Sequence, residues 1–538
     1  MHNIGFGPVA AVTTAAAYMS SRCTNHSPLA TIATSLSVAA FLYFIVWCSY
    51  IFPFYFSELR HIPTVEGCPI WGQFFNIVLE EIGTPARRWH DKHGPMVRYF
   101  FPLGAERLSV AEDDALKHMM VRNPYNYPKP VRAQKWMARV LGYGVLLAEG
   151  QEHAHQRKAL APGFSIQSIR ALHPVFWEKS LLMCECWRDE MRASNTSTMS
   201  IEVLEWLNRT TLDIICKAGF GYDVNSLQEA ETPLRQAYRS VFDFSFMTHV
   251  LFGIQAYATW MKHFPAKMNR NLNWARDVIS NKATEIIRLK QDEAERNVGG
   301  KDIIALIAKD NKKLQDAGEK GMSFETMRDQ IMTFLGAGHD TTATGVAWTI
   351  HLLSTHPEMQ SRLREEIKDH LPFLFDPQTR FDHSQLAAAD ADRLPYLEKV
   401  CKESLRYIPP IPMTVRQSVQ DDTLAGYHIP AGTVVYCMAN CINRMKSFWG
   451  ETANEFDPDR WDNLPSTWTN NAFMTFLHGP RGCIGRKFAE TEMKFILCCM
   501  LSMYEFDIDD TQPNPEDWKM WRLVLRPKDG VTLKVTAI

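Results

Sequence analysis

The chain has 538 residues with 58 Lys and Arg against 60 Asp and Glu, a formal net charge of −2, so no global positive field exists to hold nucleic acid by counterion release. A hydrophobic fraction of 46% with 22% charged residues is ordinary globular composition and excludes wholesale disorder. The 12 cysteines include no CxxC pair, which fits neither a disulfide ladder nor a zinc ribbon and predicts mostly reduced core thiols in a cytosol-facing protein.

In chain order, the first feature is a stretch without Lys, Arg, Asp or Glu between Arg22 and Glu58, apolar from Leu29 to Phe56. A bilayer span needs about 20 apolar residues, whereas the apolar region of a signal peptide has about 7–15. The reading is an N-terminal segment 1–57 carrying a transmembrane helix at about 29–56, with the shorter run Pro8–Met19, interrupted by Thr13 and Thr14, not counted as a second span. Arg22 and Arg60 balance across the span, so charge does not orient it. Pro63 and Pro69 prevent the helix from continuing and make residues 61–69 read as a hinge.

Residues 58–538 show no repeat and no Gly/Ser linker, and read as one domain. Helical periodicity dominates, as in Gln167–Met191, Asn271–Arg296, Phe324–Ser354, Glu358–Leu371 and Arg486–Met500. Alternating strands are short, as in Pro95–Phe101 and Thr433–Cys437, and the polar stretch Lys290–Lys320 reads as an exposed loop. The fold class is mainly α with small β-sheets.

Four constellations carry chemistry. His153 and Arg157, after Gly150, are i,i+4 on a helix and can offer two donors to one anion, whereas His153 and His155 point apart and make a poor metal pair. In Phe334-Leu-Gly-Ala337-Gly-His339-Asp340-Thr341, two glycines weaken a helix interior by about 1 kcal/mol each, which marks a deformation or a close approach, and Ala337 and Thr341 share a face bearing one hydroxyl. His339 reads as a packing residue. Glu403 and Arg406 are i,i+3 and can pair. Phe476-Leu-His-Gly479-Pro-Arg481-Gly-Cys483-Ile-Gly485 places a glycine-flanked cysteine just before a helix, where free N–H groups and the helix dipole favour thiolate, a good iron ligand. Arg481 stands where it can meet a carboxylate of a heme.

With these residues in place, the sequence resembles the cytochrome P450 family: Phe476, Gly479, Arg481, Cys483 and Gly485 match its heme-binding signature FxxGxRxCxG at every defined position. The resemblance implies the cytochrome P450 fold and heme b, iron-protoporphyrin IX with Cys483 as axial thiolate and metal ligand. It implies that Asp340 and Thr341 are the acid and alcohol that relay protons during oxygen activation, beside a groove at Ala337. It implies that His153, Arg157 and Arg416 join Arg481 in contacting the heme propionates. It also implies that Arg460, in Phe456-Asp-Pro458-Asp-Arg460-Trp461, completes a buried structural cluster with Glu403 and Arg406. Asn443-Arg444 stands where the family commonly has His-Arg, read as a local replacement without effect on the chemistry.

The implied activity is insertion of one oxygen atom of O₂ into a lipophilic small molecule, by hydroxylation or epoxidation. Segments Met137–Leu147, Phe242–Tyr257 and Ile411–Val415 would line the pocket. No GxxxxGK loop or fused flavin module is present, so electrons are expected from a separate NADPH-dependent flavin reductase, with Arg486 and Lys487 available to the encounter. The expected location is the endoplasmic reticulum membrane, single-pass, catalytic domain facing the cytosol, with the Asn25 sequon on the lumenal side. The alternatives are a heme-thiolate isomerase or dehydratase, against which Asp340-Thr341 argues, and a non-catalytic heme-binding membrane protein.

Overall fold

The apolar run folds as one helix, α-helical over Pro28–Val46 and continued by Trp47–Phe56 in the wider π pattern, with Pro53 inside. This computed structural model describes residues 28–68, 70–229, 231–242, 266–296, 300–318, 321–514, 516, 519–521 and 524–538. Ile32–Phe56 spans 25 residues at mean hydropathy 1.9, about 37 Å at the α-helical rise against a hydrocarbon core of about 30 Å. Asn25 and the run Pro8–Met19 lie outside the described residues.

The chain divides into two compact units: the described residues up to Ala115 with Gln417–Cys437, and Leu116–Arg416 with Met438–Ile538. In the first, strand Met96–Phe101 pairs antiparallel with Ala105–Val110, which lies parallel to Val434–Cys437. Gly104, at φ +69°, takes the left-handed conformation in the tight turn, and a Cβ there would collide with the Cys48 carbonyl, so glycine lets the apolar helix press onto the hairpin.

The expected hinge is fastened instead. The helix ends at Ser57, whose hydroxyl accepts from Leu59 N–H and donates to the Glu106 carboxylate. Leu59, Ile62 and Val65 are buried, and the chain pairs with the first strand through Val65 N to Arg98 O and Arg98 N to Pro63 O, both 2.8 Å. Arg98, 1% exposed, donates from Nη1 to Glu106 Oε1 at 2.8 Å and to Pro53 O at 3.0 Å, and from Nε to Thr64 Oγ1 at 2.8 Å. A buried guanidinium holds its acceptors in place because losing one exposes its full desolvation cost. Proline stops a helix without loosening the chain beyond it, and Pro69 itself lies outside the described residues.

The second unit is mainly helical. Gln167–Met191 forms two helices, Ile166–Arg170 and His173–Ala193, because Pro174 starts a fresh first turn. The latter packs on Arg486–Met503, with Trp177 and Phe495 ring centroids 4.2 Å apart. The polar stretch 290–320 is not a loop: the preceding helix runs to Glu295, and Ile303–Asp316 is a helix capped by Asp302. Its polar composition hides an apolar face, Ile303, Ile304, Ile307 and Ala308, all buried. Small sheets close the unit: Thr198–Glu202, Thr532–Ala537 and Tyr504–Ile508 pair antiparallel, and Lys519–Trp521 with Leu525–Pro527 form a C-terminal hairpin.

Candidate active site

The predicted helix 324–354 forms as Phe324–Gly338 and Asp340–Ser354, with Ser323 capping its start and an interruption at His339. Side chains take over the carbonyls that would continue the ladder. His339 Nδ1 lies 2.6 Å from Leu335 O, Thr341 Oγ1 donates to Ala337 O at 2.9 Å, and Thr342 Oγ1 reaches Gly338 O at 3.5 Å. Thr211, from helix Val203–Ile214, donates to His339 O at 3.0 Å. Insertion of side-chain donors into the i→i−4 ladder is a recognised cause of such breaks. The two glycines are close approaches, since a Cβ on Gly336 would collide with Leu141 and one on Gly338 with Ile215.

Ala337 is exposed although residues 331–336 and 339–340 on either side are buried, so it faces an internal concavity. Cys483 behaves alike: its surface is accessible, yet protein atoms crowd it on all sides. The loop bearing it is tightly built. Cys483 N donates to Phe476 O at 2.8 Å, Arg157 donates to Gly482 O, and Gly479, at φ +68°, lies where a Cβ would strike Met120 O. Burial pushes the Cys483 thiol up from its ordinary range, against the Gly485 N–H and the Arg157 charge. Desolvation thus opposes the local donors at this sulfur, and a cationic metal bound to it favours the thiolate. Among the described residues no group of three or more His, Cys, Asp or Glu could hold a metal.

Around the same loop, cations converge. Arg481 donates from Nε to Pro124 O at 3.3 Å, pairs with Glu149, lies 5.1 Å from the Tyr125 ring, and keeps Nη1 buried without a hydrogen-bond partner. His153, 3% exposed, lies 3.2 Å from the Tyr125 hydroxyl through Nδ1; burial, then Arg481, Lys129 and Arg157, lower it to about 4. It is a neutral imidazole, not a second cation. Arg416 is 2% exposed. Lys129, which no sequence motif marks, is drawn down to about 7 by burial and by Arg416 and Arg481, against Glu149; its only sequence signal is confinement between Pro128 and Pro130. Glu149 pairs with Arg481 and lies in the field of Lys129, and a cluster this rich in basic side chains, with an orphaned guanidinium donor on Arg481, fits a group carrying two carboxylates, as heme does in its two propionates.

Asp340 and Thr341 are adjacent in sequence but not hydrogen-bonded to each other. Asp340, 1% exposed, pairs with Arg526 of the C-terminal hairpin, which no motif singled out. Beneath the cysteine loop, the Glu403 carboxylate accepts two hydrogen bonds from Arg406 and one each from Arg460, Trp461 and Asp457 N. Asn443 proves to be structural: Nδ2 donates to Thr475 Oγ1 and Oδ1 accepts from Met474 N, both at 2.8 Å, while its carbonyl accepts from Arg406. It ties that cluster to the segment entering the cysteine loop. Arg486 and Lys487 are paired within the chain, to Glu490 and Asp392, each at 2.8 Å. Of the expected pocket segments, Val140 and Leu141 are buried and Ile411 is exposed; residues 243–265 lie outside the described ones.

Comparison with known proteins gives a consistent answer. The family model described as Cytochrome P450 matches residues 62–535. The chain is 33% identical to "Cytochrome P450 monooxygenase sphH" of Aspergillus fumigatus, over 100% of this chain and 99% of that one. It is 33% identical to "Cytochrome P450 monooxygenase FUM15" of Gibberella moniliformis over 86% of each, and 32% identical to "Cytochrome P450 monooxygenase ALT8" of Alternaria alternata over 92% of each. Likeness over 86–99% of the length of these relatives, on a mainly helical fold with small sheets, means that the chain belongs to the cytochrome P450 family and is an oxidoreductase of the monooxygenase kind, with heme b on a cysteine thiolate.

Proposed function

We propose that residues 58–538 form the catalytic domain, behind an anchor in residues 1–57, and insert one atom of O₂ into a lipophilic small molecule, with Cys483 as the thiolate ligand. The observation that carries the reading is the convergence of Lys129, Arg157, Arg416 and Arg481 with neutral His153 around the Cys483 loop. Heme, when bound, supplies oxygen activation and the oxygen-inserting step. The chain's own residues do the rest. Arg481, Arg416 and Lys129 would hold the propionates by charge, and His153 would offer them a hydrogen bond. Leu141 and Ile215, pressed onto the glycines of the broken helix, help keep the concavity apolar and dry. Asp340 takes protons from solvent and Thr341 hands them on, its hydroxyl oriented by the Ala337 carbonyl. Two electrons and two protons are consumed; one oxygen atom goes to product and the other leaves as water.

The electron donor in this reading is a separate NADPH-dependent flavin reductase. In the same reading the chain sits in the endoplasmic reticulum membrane with the domain in the cytosol; the exposed Ile70, Trp71, Phe75, Val78 and Leu79, in the same unit as the apolar helix, support lipid contact. The test is a screen of lipophilic compounds by spectral shift of the heme-loaded chain, followed by turnover with reductase, NADPH and O₂. Product that needs all three supports the proposal, and product formed without O₂ or reductant overturns it. Thr341→Ala is expected to raise NADPH consumed per product formed; unchanged coupling refutes the relay.

A further inference from the structure

The contact between Asp340 and Arg526 has a direction. Asp340 Oδ1 meets Arg526 Nη2, while Asp340 Oδ2 is buried without a hydrogen-bond partner. The neighbouring Thr341 hydroxyl is committed to Ala337 O and does not hold the acid. Arg526 is delivered by a pinned strand: Leu525, fully buried, donates N–H to Pro410 O at 2.8 Å and accepts at its carbonyl from Trp348 Nε1 at 2.9 Å. Trp348 lies on the same helix as Asp340, eight residues on, or about 12 Å along the axis. The strand is therefore docked on the helix that carries the acid, and the Arg526 side chain, 19% exposed, reaches a carboxylate that is 1% exposed. Burial favours the neutral carboxyl, and an adjacent fixed positive charge favours the carboxylate.

We infer that Arg526 is a positioning residue for proton delivery: it holds Asp340 as a carboxylate with Oδ1 fixed and Oδ2 open to accept a proton. This deepens the proposed proton relay and rests on it. The proton comes from solvent to Oδ2 and leaves toward Thr341; the carboxylate is regenerated, and the guanidinium keeps its charge throughout. The hairpin thus sets the state of the acid, although Arg526 lies 186 positions further along the chain.

Other titratable groups surround the pair. His339, on the same helix, is held neutral by burial, at about 4. Glu202, at the start of helix Val203–Ile214, is raised to about 7 by burial and senses Arg526. Glu492, on the helix after Cys483, is buried beside Thr342 and pushed far up. A pH profile that tests the pair is therefore repeated in a Glu202→Gln background.

The experiment compares Arg526→Gln, Arg526→Lys, Asp340→Asn and the double variant Asp340→Asn/Arg526→Gln, each as heme-loaded full chain. Infrared difference spectra at neutral pH, recorded against the parent in the Glu202→Gln background so that Glu492 cancels and Glu202 is removed, are expected to show a protonated-carboxyl band gained in Arg526→Gln and not gained in Arg526→Lys or in the double variant. With flavin reductase, the acid limb of the pH profile of NADPH consumption is expected to move to higher pH in Arg526→Gln and to recover in Arg526→Lys. An Arg526→Gln chain with no such band and a wild-type profile overturns the inference. If Asp340→Asn leaves the profile unchanged, the relay reading fails, while the infrared band still decides the pairing. If Arg526→Gln does not fold, folding of the double variant supports the pairing, and its failure to fold while Asp340→Asn folds overturns it.

Discussion

Replacing Glu403 by Gln removes one charge from a site where no water can compensate. Glu403 and Arg406 are both 0% exposed, and the Arg460 side chain is 4% exposed. The carboxylate accepts five hydrogen bonds, three of them from the two guanidiniums. Glutamine keeps the shape but offers one acceptor oxygen and turns an NH₂ toward donors, leaving two buried cations without a counter-charge. Breaking a buried pair by removing one partner costs about 3–5 kcal/mol, and since about 1.4 kcal/mol is tenfold, the folding equilibrium should fall by about two to three and a half decades. The control is Asp459→Asn, which breaks a two-pronged pair with Arg362 of good geometry, 2.6 and 3.1 Å, but with side chains 49% and 52% exposed; exposed pairs contribute about 0–1 kcal/mol. Urea unfolding of the heme-loaded chain, followed by tryptophan fluorescence, measures both. If the two variants shift the midpoint equally, burial does not set the energy of the cluster and the reasoning is wrong.

Cys483→Ala is expected to abolish the thiolate-type ferrous carbon monoxide spectrum; its persistence would move the ligand elsewhere. Lys129, held at about 7 in the heme-free chain, is largely neutral at mildly alkaline pH, and two propionates should restore its proton. Heme uptake by Lys129→Met should therefore bind less proton than uptake by the wild type, read as calorimetric heat in buffers of different ionisation enthalpy. By the same linkage, a lysine lowered from 10.5 to about 7 in the folded chain destabilises it at low pH, so the heme-free protein should gain stability as pH rises between those values and Lys129→Met should lose that slope in urea unfolding. Arg98→Ala removes the donor shared by Pro53 O, Thr64 and Glu106 and should make residues 57–65 more open to limited proteolysis than in the wild type. Asn443→Ala frees Met474 N and Thr475 from their tie and should speed heme loss to an acceptor protein; an unchanged rate would mean the tie is incidental.

Much of this protein could be read along the chain, because the features concerned are local. An uncharged apolar run specifies a helix of bilayer length by its own transfer energetics. Helical periodicity, the Ser323 cap and the i,i+3 spacing of Glu403 and Arg406 are properties of consecutive residues, and the glycines around Cys483 announce a tight loop whatever surrounds it. The sequence misled where composition masked a face, in 303–316, and where proline was taken for looseness, after Ser57. Packing in three dimensions sets who stands beside whom over long separations. Arg526 reaches Asp340 across 186 positions, Arg157 reaches Gly482 across 325, and Lys129 enters the field of Arg416 and Arg481. The directions in which burial pushes Cys483 and His153 follow the same logic, since desolvation is a property of packing, and a short window of sequence contains the charges but not the burial that determines what they do.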